Sequence, residues 1–330
     1  MMYYNCQHCS KPIKKINEYL YQLNQASHYR ETSHAAGEVI HIIENTHYVA
    51  LIGNIYYLYG SSLRILHERE QEAVHALERA LSLASINTPK SWKAKVLSSL
   101  SMGYADVNDM VAAQRAATQV LALSSPKSSY NYSAKLTLIN CDKTLLLDQR
   151  ISRIKSIETR ARKDKCSIPA NNAAMLLANL SKDESTRLGY LNKVLTSGNK
   201  ISYNQMRAII MKCEHLIQQE KISTIAPREK LLIHTSYSLL FRQRMSHLFN
   251  KCSVVLLEML MYARDVRACF RLFRYCSLIW RLYNERAEEM DLIEVLIDYY
   301  NSLSTLDRET VNLLDYQYLQ IRKETLLSET

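Results

Sequence analysis

Five arginines recur at helical spacing in the last third of the chain, and their side chains could bind an anion. The guanidinium group presents a planar fork of N–H donors that fits carboxylate and phosphate oxygens. At 100° per residue the five fall within an arc of about 100° on a predicted helix, opposite an apolar side that includes Phe270 and Phe273. These candidate partner-binding arginines are Arg264, Arg267, Arg271, Arg274 and Arg281.

The same arginines have an alternative use in pairing inside the fold. Acidic residues follow them directly, and an antiparallel neighbouring helix would lay these carboxylates beside the arginines. The acidic residues are Glu285, Glu288, Glu289, Asp291, Glu294 and Asp298. The sequence therefore leaves open a surface for an acidic partner, internal ion pairs and a solvated face.

A second basic segment lies near the middle of the chain. Its candidate nucleic-acid-binding residues are Arg150, Arg153, Lys155, Arg160, Arg162 and Lys163. Polybasic helices attract RNA, DNA and acidic lipids electrostatically. No aromatic residue of the kind that stacks on bases is interleaved with them, so a solvated helix face is the alternative.

Tyrosine is the dominant aromatic residue, with 22 tyrosines against 4 phenylalanines. Its ring offers a large apolar body with a polar tip, which suits the half-exposed wall of a groove as well as the edge of a core. Tyr57 and Tyr237 are the tyrosines we assign to a partner-binding surface.

Cysteine and histidine spacing does not predict a metal site. Cys6 and Cys9 form a single CxxC pair, which supplies half of a tetrahedral site, and the next cysteine is Cys141. His34 and His41 are seven residues apart, whereas helical metal ligands use spacings of three or four. We expect neither a metal nor a cofactor.

Motifs of the common enzyme classes are missing from the sequence. A phosphate-binding loop needs clustered glycines, and the nearest pair here is Gly53 and Gly60. There is no GxSxG and no HExxH segment. The sequence therefore predicts a protein that is not an enzyme and that acts by binding.

The composition predicts that these side chains are positioned by helices. Apolar residues make up 47% of the chain and charged residues 22%, while only 6 glycines and 5 prolines are present. A chain so poor in turn formers has few hairpins to build, so the prediction is an all-α fold. The net charge of +10 favours acidic partners or nucleic acid.

The sequence also predicts a cytoplasmic location. Its first residues lack the apolar stretch of a secretory signal. The most apolar segment, residues 254–262, is interrupted by Glu258 and is far shorter than the roughly 18 residues that a membrane helix needs.

An amphipathic helical pattern occurs twice, over residues 71–84 and 111–124. A shift of forty positions superposes Ala73 on Ala113 and Ala76 on Ala116. Such units cannot bury their apolar faces alone and must stack on neighbours, which predicts an α-solenoid of antiparallel helix pairs. Prolines 89, 126, 169 and 227 follow the apolar runs and divide the chain into helix-pair lengths.

The segment EAVHALERALSL resembles the second helix of a tetratricopeptide repeat, with Ala73, Leu77 and Ala80 at the family's small, large and small positions. Residues 188–195 are a weaker copy, and the resemblance covers about residues 40–200. The family's repeats are about 34 residues long, whereas these are longer. The small residue of the first helix would be Gly60 or Gly103.

We expect two parts, residues 1–168 with the tetratricopeptide-like repeats and residues 169–330 as a C-terminal helical bundle or cap that continues the array. Residues 228–262 and 263–283 are each predicted to be one helix. Pro12 is expected to exclude any helix before Ile13.

The resemblance implies a scaffold, adaptor or regulatory sensor arm that holds a protein or peptide partner on a concave surface lined by tyrosine and arginine. Two alternatives remain. One is a nucleic-acid-binding repeat that uses the basic helices, and the other is a regulatory partner of a toxin or an antiviral defence effector.

Overall fold

The computed structural model describes residues 7–26, 28–43, 49–67, 69–197, 201–243, 246–283, 286–303 and 313–328. Apart from turns and one short 3-10 turn at Ile222–Thr224, every described element is an α-helix, which confirms the predicted all-α class. Within the described part of the chain, no helix combines the length and apolar character required to cross a membrane.

The helices of the first two thirds of the chain follow one another with short connections. They are α1 (Gln7–Gln25), α2 (Tyr29–Ile43), α3 (Val49–Leu66), α4 (Glu70–Ser82), α5 (Lys90–Asp106), α6 (Met110–Leu123), α7 (Ser129–Cys141), α8 (Leu147–Lys163), α9 (Ser167–Leu180), α10 (Glu184–Leu195) and α11 (Tyr203–Gln218).

The remaining helices are α12 (Pro227–Gln243), α13 (Ser246–Tyr262), α14 (Val266–Tyr283), α15 (Arg286–Ser302) and α16 (Leu313–Ser328). Residues 228–262 therefore form two helices and not the single helix predicted from their pattern. The prediction for Pro12 was also wrong, because α1 begins at Gln7 and includes this proline.

The chain divides into two compact units, Met1–Ala208 and Ile209–Thr330, and the division falls inside α11. We call them unit 1 and unit 2. The boundary expected from the sequence, between residues 168 and 169, lies near the start of α9 within unit 1.

Unit 1 is a two-layered stack of consecutive helix pairs. The odd-numbered helices α1, α3, α5, α7 and α9 pack side by side, and we call them the odd-helix layer. Each even-numbered helix from α2 to α8 packs against the two odd-numbered helices that flank it in sequence, and α10 packs against α9. This is the helix-pair stacking that the internal repeat predicts.

Helices α3 and α4 approach each other closely at Gly60. A Cβ atom added to Gly60 of α3 would lie 2.7 Å from the carbonyl oxygen of Ala73 and 2.8 Å from Cγ of Leu77 in α4. Ala73, Leu77 and Ala80 are fully buried. The small and large positions quoted for the tetratricopeptide resemblance are therefore the positions at which α3 and α4 interlock.

Side-chain caps explain where several helices begin. Asp109 accepts a hydrogen bond from the Ala112 amide at 2.9 Å, and Asp183 accepts one from the Thr186 amide at 2.7 Å. Pro227 occupies the first position of α12, where a missing backbone N–H costs nothing. Each cap satisfies an amide donor that has no partner within its own helix.

Unit 2 also consists of helices that pack consecutively along the chain, and its interior includes a buried ion pair. Helices α12 to α16 pack consecutively, and α13 also contacts α15. Glu289 is fully buried and holds a two-pronged ion pair with Arg322 of α16, with atom separations of 3.0 Å and 2.7 Å. Four free thiols are also buried in this unit, those of Cys213, Cys252, Cys269 and Cys276.

Candidate functional site

A strip of polar side chains runs along α3 and α5 on the odd-helix layer. On α3 it comprises Tyr57, Ser61 and Arg64, spaced by four and three residues. On α5 it comprises Lys95, Ser99 and Asp106. Residues at such spacings share one helix face, and Lys95 and Asp106 are separated by about 16 Å along the helix.

Lys95 occupies one end of this strip and lies over two aromatic rings. Its Nζ is 4.3 Å from the ring centre of Tyr57 and 5.5 Å from that of Tyr21 in α1. Burial lowers the pKa of Lys95, because water is partly excluded from its ammonium group. No carboxylate and no hydrogen-bond acceptor among the described residues contacts this ammonium group.

The two tyrosines beside Lys95 interact in turn with a third tyrosine, Tyr130. Burial raises the pKa of Tyr57 to about 12, against a smaller opposing influence of the Ser99 hydroxyl. Burial also raises the pKa of Tyr130 in α7, with an added electrostatic contribution from Tyr21. We call Tyr21, Tyr57, Lys95 and Tyr130 the Tyr–Lys patch, and it combines apolar ring surface with one cation that has no counter-charge among the described residues.

The other end of the strip holds a loose ion pair. Arg64 and Asp106 approach to 3.6 Å with side chains 19% and 27% exposed, and the Arg64 Nε is buried without a hydrogen bond. Burial raises the pKa of Asp106, and the nearby Arg64 opposes this shift. Burial lowers the pKa of His67 at the end of α3.

The first turns of α11 belong to this end of the strip. Burial raises the pKa of Tyr203, while Arg207 and Arg64 act in the opposite direction. The Arg207 guanidinium lies 5.7 Å from the Tyr203 ring centre. The guanidinium groups of Arg64 and Arg207 thus act electrostatically on the pKa of both Tyr203 and His67. The Asp106 carboxylate acts on the same two groups in the opposite direction.

The two predicted tyrosines lie in different surroundings. Tyr57 is a member of the Tyr–Lys patch. Tyr237 packs inside unit 2, where its ring centre is 5.0 Å from that of Phe249 and its hydroxyl is 3.8 Å from the Cys276 sulfur. Burial raises the pKa of Tyr237, as expected for a phenol held among helices.

The predicted arginine row is shorter in the structure than in the sequence pattern. Arg264 lies between α13 and α14 in a left-handed backbone conformation with φ of 55°, because it ends α13 in a Schellman turn in which the Asp265 amide donates to the Leu260 carbonyl oxygen. The Asp265 side chain then caps α14 by accepting from the Ala268 amide. Arg267, Arg271 and Arg274 are exposed along one side of α14. The backbone of Arg281 belongs to α14, and its side chain lies outside the described set.

Two of the downstream acids contact the last helix of unit 2. Glu289 pairs with Arg322, and Glu294 lies 3.1 Å from the Lys323 ammonium group. At least these two acidic residues are therefore paired with basic side chains of α16.

The predicted basic segment forms one surface of α8. Arg153, Lys155, Arg160, Arg162 and Lys163 are exposed, and Arg150 is half-buried, where it donates a 3.0 Å hydrogen bond to the Asp142 carbonyl oxygen. The exposed side chains lie on the side of the helix away from its apolar seam, whereas Arg150 lies on the side of the seam.

Sequence patterns missed Lys95, because its two aromatic partners lie far away along the chain. The one sequence feature that points to Lys95 is its four-residue spacing to Ser99, which places both side chains on one face of a helix with many buried residues. Of the CxxC pair, Cys6 lies outside the described residues, as does the side chain of Cys9. Within the described part of the chain, no group of three or more metal-ligating side chains is arranged to hold a metal ion.

No family model and no curated protein matches the chain. Solved structures similar to it include a tetratricopeptide repeat protein from Parabacteroides merdae, with 12% identity, coverage of 87% of this chain and 99% of that chain, and a TM-score of 0.44. A Rap protein complexed with competence and sporulation factor has 10% identity, coverage of 97% and 100%, and a TM-score of 0.44. The tetratricopeptide domain of P58(IPK) has 10% identity, coverage of 96% and 99%, and a TM-score of 0.22.

The packing of the chain itself carries the assignment of its fold. In unit 1, consecutive helix pairs stack in two layers, and Gly60, Ala73 and Leu77 interlock the first and second helices of a repeat. By this architecture, the chain is an all-α protein of stacked helix pairs, and the packing of α3 on α4 resembles that of a tetratricopeptide repeat.

Proposed function

We propose that the chain is a binding scaffold or sensor arm that holds a protein or peptide on the odd-helix layer of unit 1. The observation that carries this proposal is Lys95, whose ammonium group is half-buried without a counter-charge among the described residues. An acidic group of a partner would supply that charge. A hydrogen bond to a charged group contributes about 1.5–3 kcal/mol, which is enough to select acidic partners over neutral ones.

The tyrosines supply the second part of the binding surface. Tyr21 is 45% exposed, while Tyr57 lies almost wholly below the surface. Large aromatic side chains that are partly exposed contribute strongly to protein interfaces, because each one buries a large area with few rotatable bonds. A peptide carrying an acidic side chain next to an apolar one fits this combination.

The strip continues to Arg64, Asp106, Tyr203 and Arg207, and we propose that the partner extends along it. Arg64 and Asp106 are held at a distance longer than that of a direct hydrogen bond. Polar groups of a bound segment could therefore engage either of them without breaking a strong internal contact.

The exposed arginines of α14 offer a separate surface in unit 2 for acidic groups. Arg271 is the member of this surface that we propose as its central contact, since Arg267 and Arg274 flank it at helical spacing. We further propose that the chain acts by binding and not by catalysis.

A crosslinking experiment tests the proposal for unit 1. A photoreactive benzophenone amino acid replaces Tyr21, inside the patch, or Tyr19, which is 57% exposed on the same helix and points about 160° away from it. We expect a discrete crosslinked protein or peptide in cell extract with the probe at position 21, and little with the probe at position 19.

A second variant distinguishes specific binding from nonspecific crosslinking of an exposed probe. Lys95→Met should abolish the crosslink formed by the probe at position 21, because it removes the positive charge and keeps a long side chain over the rings. Equal crosslinking from positions 19 and 21, or a crosslink that persists in Lys95→Met, would rule out the proposed surface.

A further inference from the structure

The exposed surface of α8 is unusually uniform in chemistry. Between residues 150 and 163 it presents only cations and hydroxyl groups. The exposed residues are Arg153, Lys155, Arg160, Arg162, Lys163, Ser152, Ser156 and Thr159, and we call them the α8 basic face. Along the helix, Arg153 and Lys163 are separated by about 15 Å.

The acids nearest this face are engaged by other groups of the protein. Glu158 is 5% exposed and accepts a hydrogen bond from the Arg162 Nε at 2.8 Å. Asp164 accepts from the Tyr132 hydroxyl at 2.5 Å. Asp142 accepts from the amide and the hydroxyl of Thr144, and these bonds lower the pKa of Asp142, with smaller electrostatic contributions from Arg153 and Arg150. Asp148, in the first turn of α8, is the exposed acid that remains on this helix.

The face is held in place by a buried seam on the opposite side of the helix. Ile154 and Ala161 are fully buried and Ile157 is 7% exposed, and they join the core formed with α7 and α9. Because the helix is already fixed, its backbone does not have to become ordered when the cationic surface binds a ligand. The entropic cost of binding is therefore confined to the side chains.

The mixture of cations and hydroxyl groups matches the chemistry of a phosphate backbone. Arginine, lysine, serine and threonine side chains make most protein contacts to phosphate oxygens, and such contacts carry no base information. No aromatic residue occurs in α8, so the face has no platform on which unpaired bases could stack. A duplex, whose bases are already stacked, fits better than a single strand.

A membrane surface fits less well. Interfacial helices place apolar side chains beside their cations so that these enter the lipid. The exposed apolar residues at this helix, Leu146 and Leu147, lie at its start and not among the cations. The face between Arg153 and Lys163 has none.

We propose that the α8 basic face binds the sugar–phosphate backbone of a nucleic-acid duplex without reading its sequence. This surface lies on an even-numbered helix and shares no residue with the Tyr–Lys patch. The proposal therefore stands or fails independently of the proposed peptide-binding function.

Salt-dependent binding of the full chain to a fluorescent DNA duplex of about 24 base pairs, and to an RNA duplex of similar length, tests this proposal. With about four phosphate contacts, log Kd for the DNA duplex should change with log salt by about 3 to 4 between roughly 50 and 200 mM salt. We expect Arg153→Glu/Lys155→Glu to weaken binding at least about tenfold and to flatten the salt dependence by about 2.

The matched control is Lys90→Glu/Arg115→Glu, which makes the same change in net charge at exposed positions on α5 and α6. It should weaken binding less than about threefold. Arg153→Gln/Lys155→Gln should lie between wild type and the charge reversal. Because all these positions are exposed, circular dichroism should show unchanged helicity in each variant.

Several results would overturn the proposal. One is a salt dependence shallower than about 1, which would mean fewer than two phosphate contacts. Another is an equal loss in the α8 variant and its control, which would show that only net charge matters. Tighter binding to single strands or to vesicles containing phosphatidylserine would assign the face to a different partner.

Discussion

The ammonium group of Lys95 lies 4.3 Å from the centre of the Tyr57 ring, in a place where burial lowers the lysine pKa. The ring attracts the cation, and cation–π contacts contribute about 0.5–2 kcal/mol. Desolvation acts against the charge and lowers the pKa of Lys95. A charged side chain kept in such a place is typical of a binding residue, since sites often carry strain for function.

We therefore expect Lys95→Met to lose partner binding and to gain stability. Methionine keeps the apolar contact with the two rings and removes the desolvated charge. The melting temperature should rise by about 2 °C, as expected for a gain near 1 kcal/mol. Differential scanning calorimetry measures this change, and Lys90→Met, at an exposed position, should leave the melting temperature unaltered. A fall in the melting temperature of Lys95→Met would contradict the interpretation.

The stability difference between wild type and Lys95→Met should depend on pH. A lowered pKa in the folded state means that the unfolded chain binds more protons, so the stability of the wild type rises with pH relative to the variant. The loss of stability caused by burying the charged Lys95 is complete at pH values below its pKa in the folded state. It disappears as the pH approaches the ordinary lysine pKa of 10.5. Urea unfolding at about pH 7 and pH 10 measures it, and a constant difference would exclude desolvation as the cause.

Gly60→Ala should destabilise the chain by about 1–3 kcal/mol, because its Cβ would overlap the Ala73 carbonyl oxygen and the Leu77 side chain. Gly189→Ala is the matched control within α10. A Cβ at Gly189 meets no atom within 4 Å, so alanine should stabilise that helix by up to about 1 kcal/mol. Chemical denaturation of both variants checks the opposite signs.

In unit 2, Arg322→Met should cost about 3–5 kcal/mol, because it removes the charged partner of the buried Glu289 carboxylate and leaves the Ser277 hydroxyl as a neutral donor. Glu289→Leu/Arg322→Met should recover much of that loss, since both charges are then gone. Lys323→Met removes the exposed pair with Glu294 and should change stability by less than about 1 kcal/mol. If the double variant is no more stable than Arg322→Met, the buried charge is not the source of the loss.

The sequence predicted the helical class and the repeat because both depend on local patterns. Ala73, Leu77 and Ala80 lie within eight residues on one helix, and their spacing already defines the face that α3 covers. Helix ends without glycine or proline were harder to predict. The pattern over residues 228–262 continues through the break between Gln243 and Ser246, and Asp265 excludes Arg264 from α14 by capping it.

The candidate site was less accessible to sequence reasoning than the fold. Lys95 and Tyr57 are 38 residues apart, and only the packing of α3 beside α5 brings them together. The α8 basic face was predicted from its charges. The inward placement of Glu158 depends on tertiary contacts that a charge count does not contain.

The buried thiols of unit 2 make it possible to measure how often this unit unfolds locally. Burial raises the pKa of Cys269 to about 12 and that of Cys276 to about 11, so their thiols should react with alkylating reagents only when the helices around them separate. Among the described cysteines of unit 1, Cys166 is partly exposed and reports on the folded surface. The labelling rates of individual cysteines, read by mass spectrometry, would thus measure how often unit 2 opens while the rest of the chain stays folded.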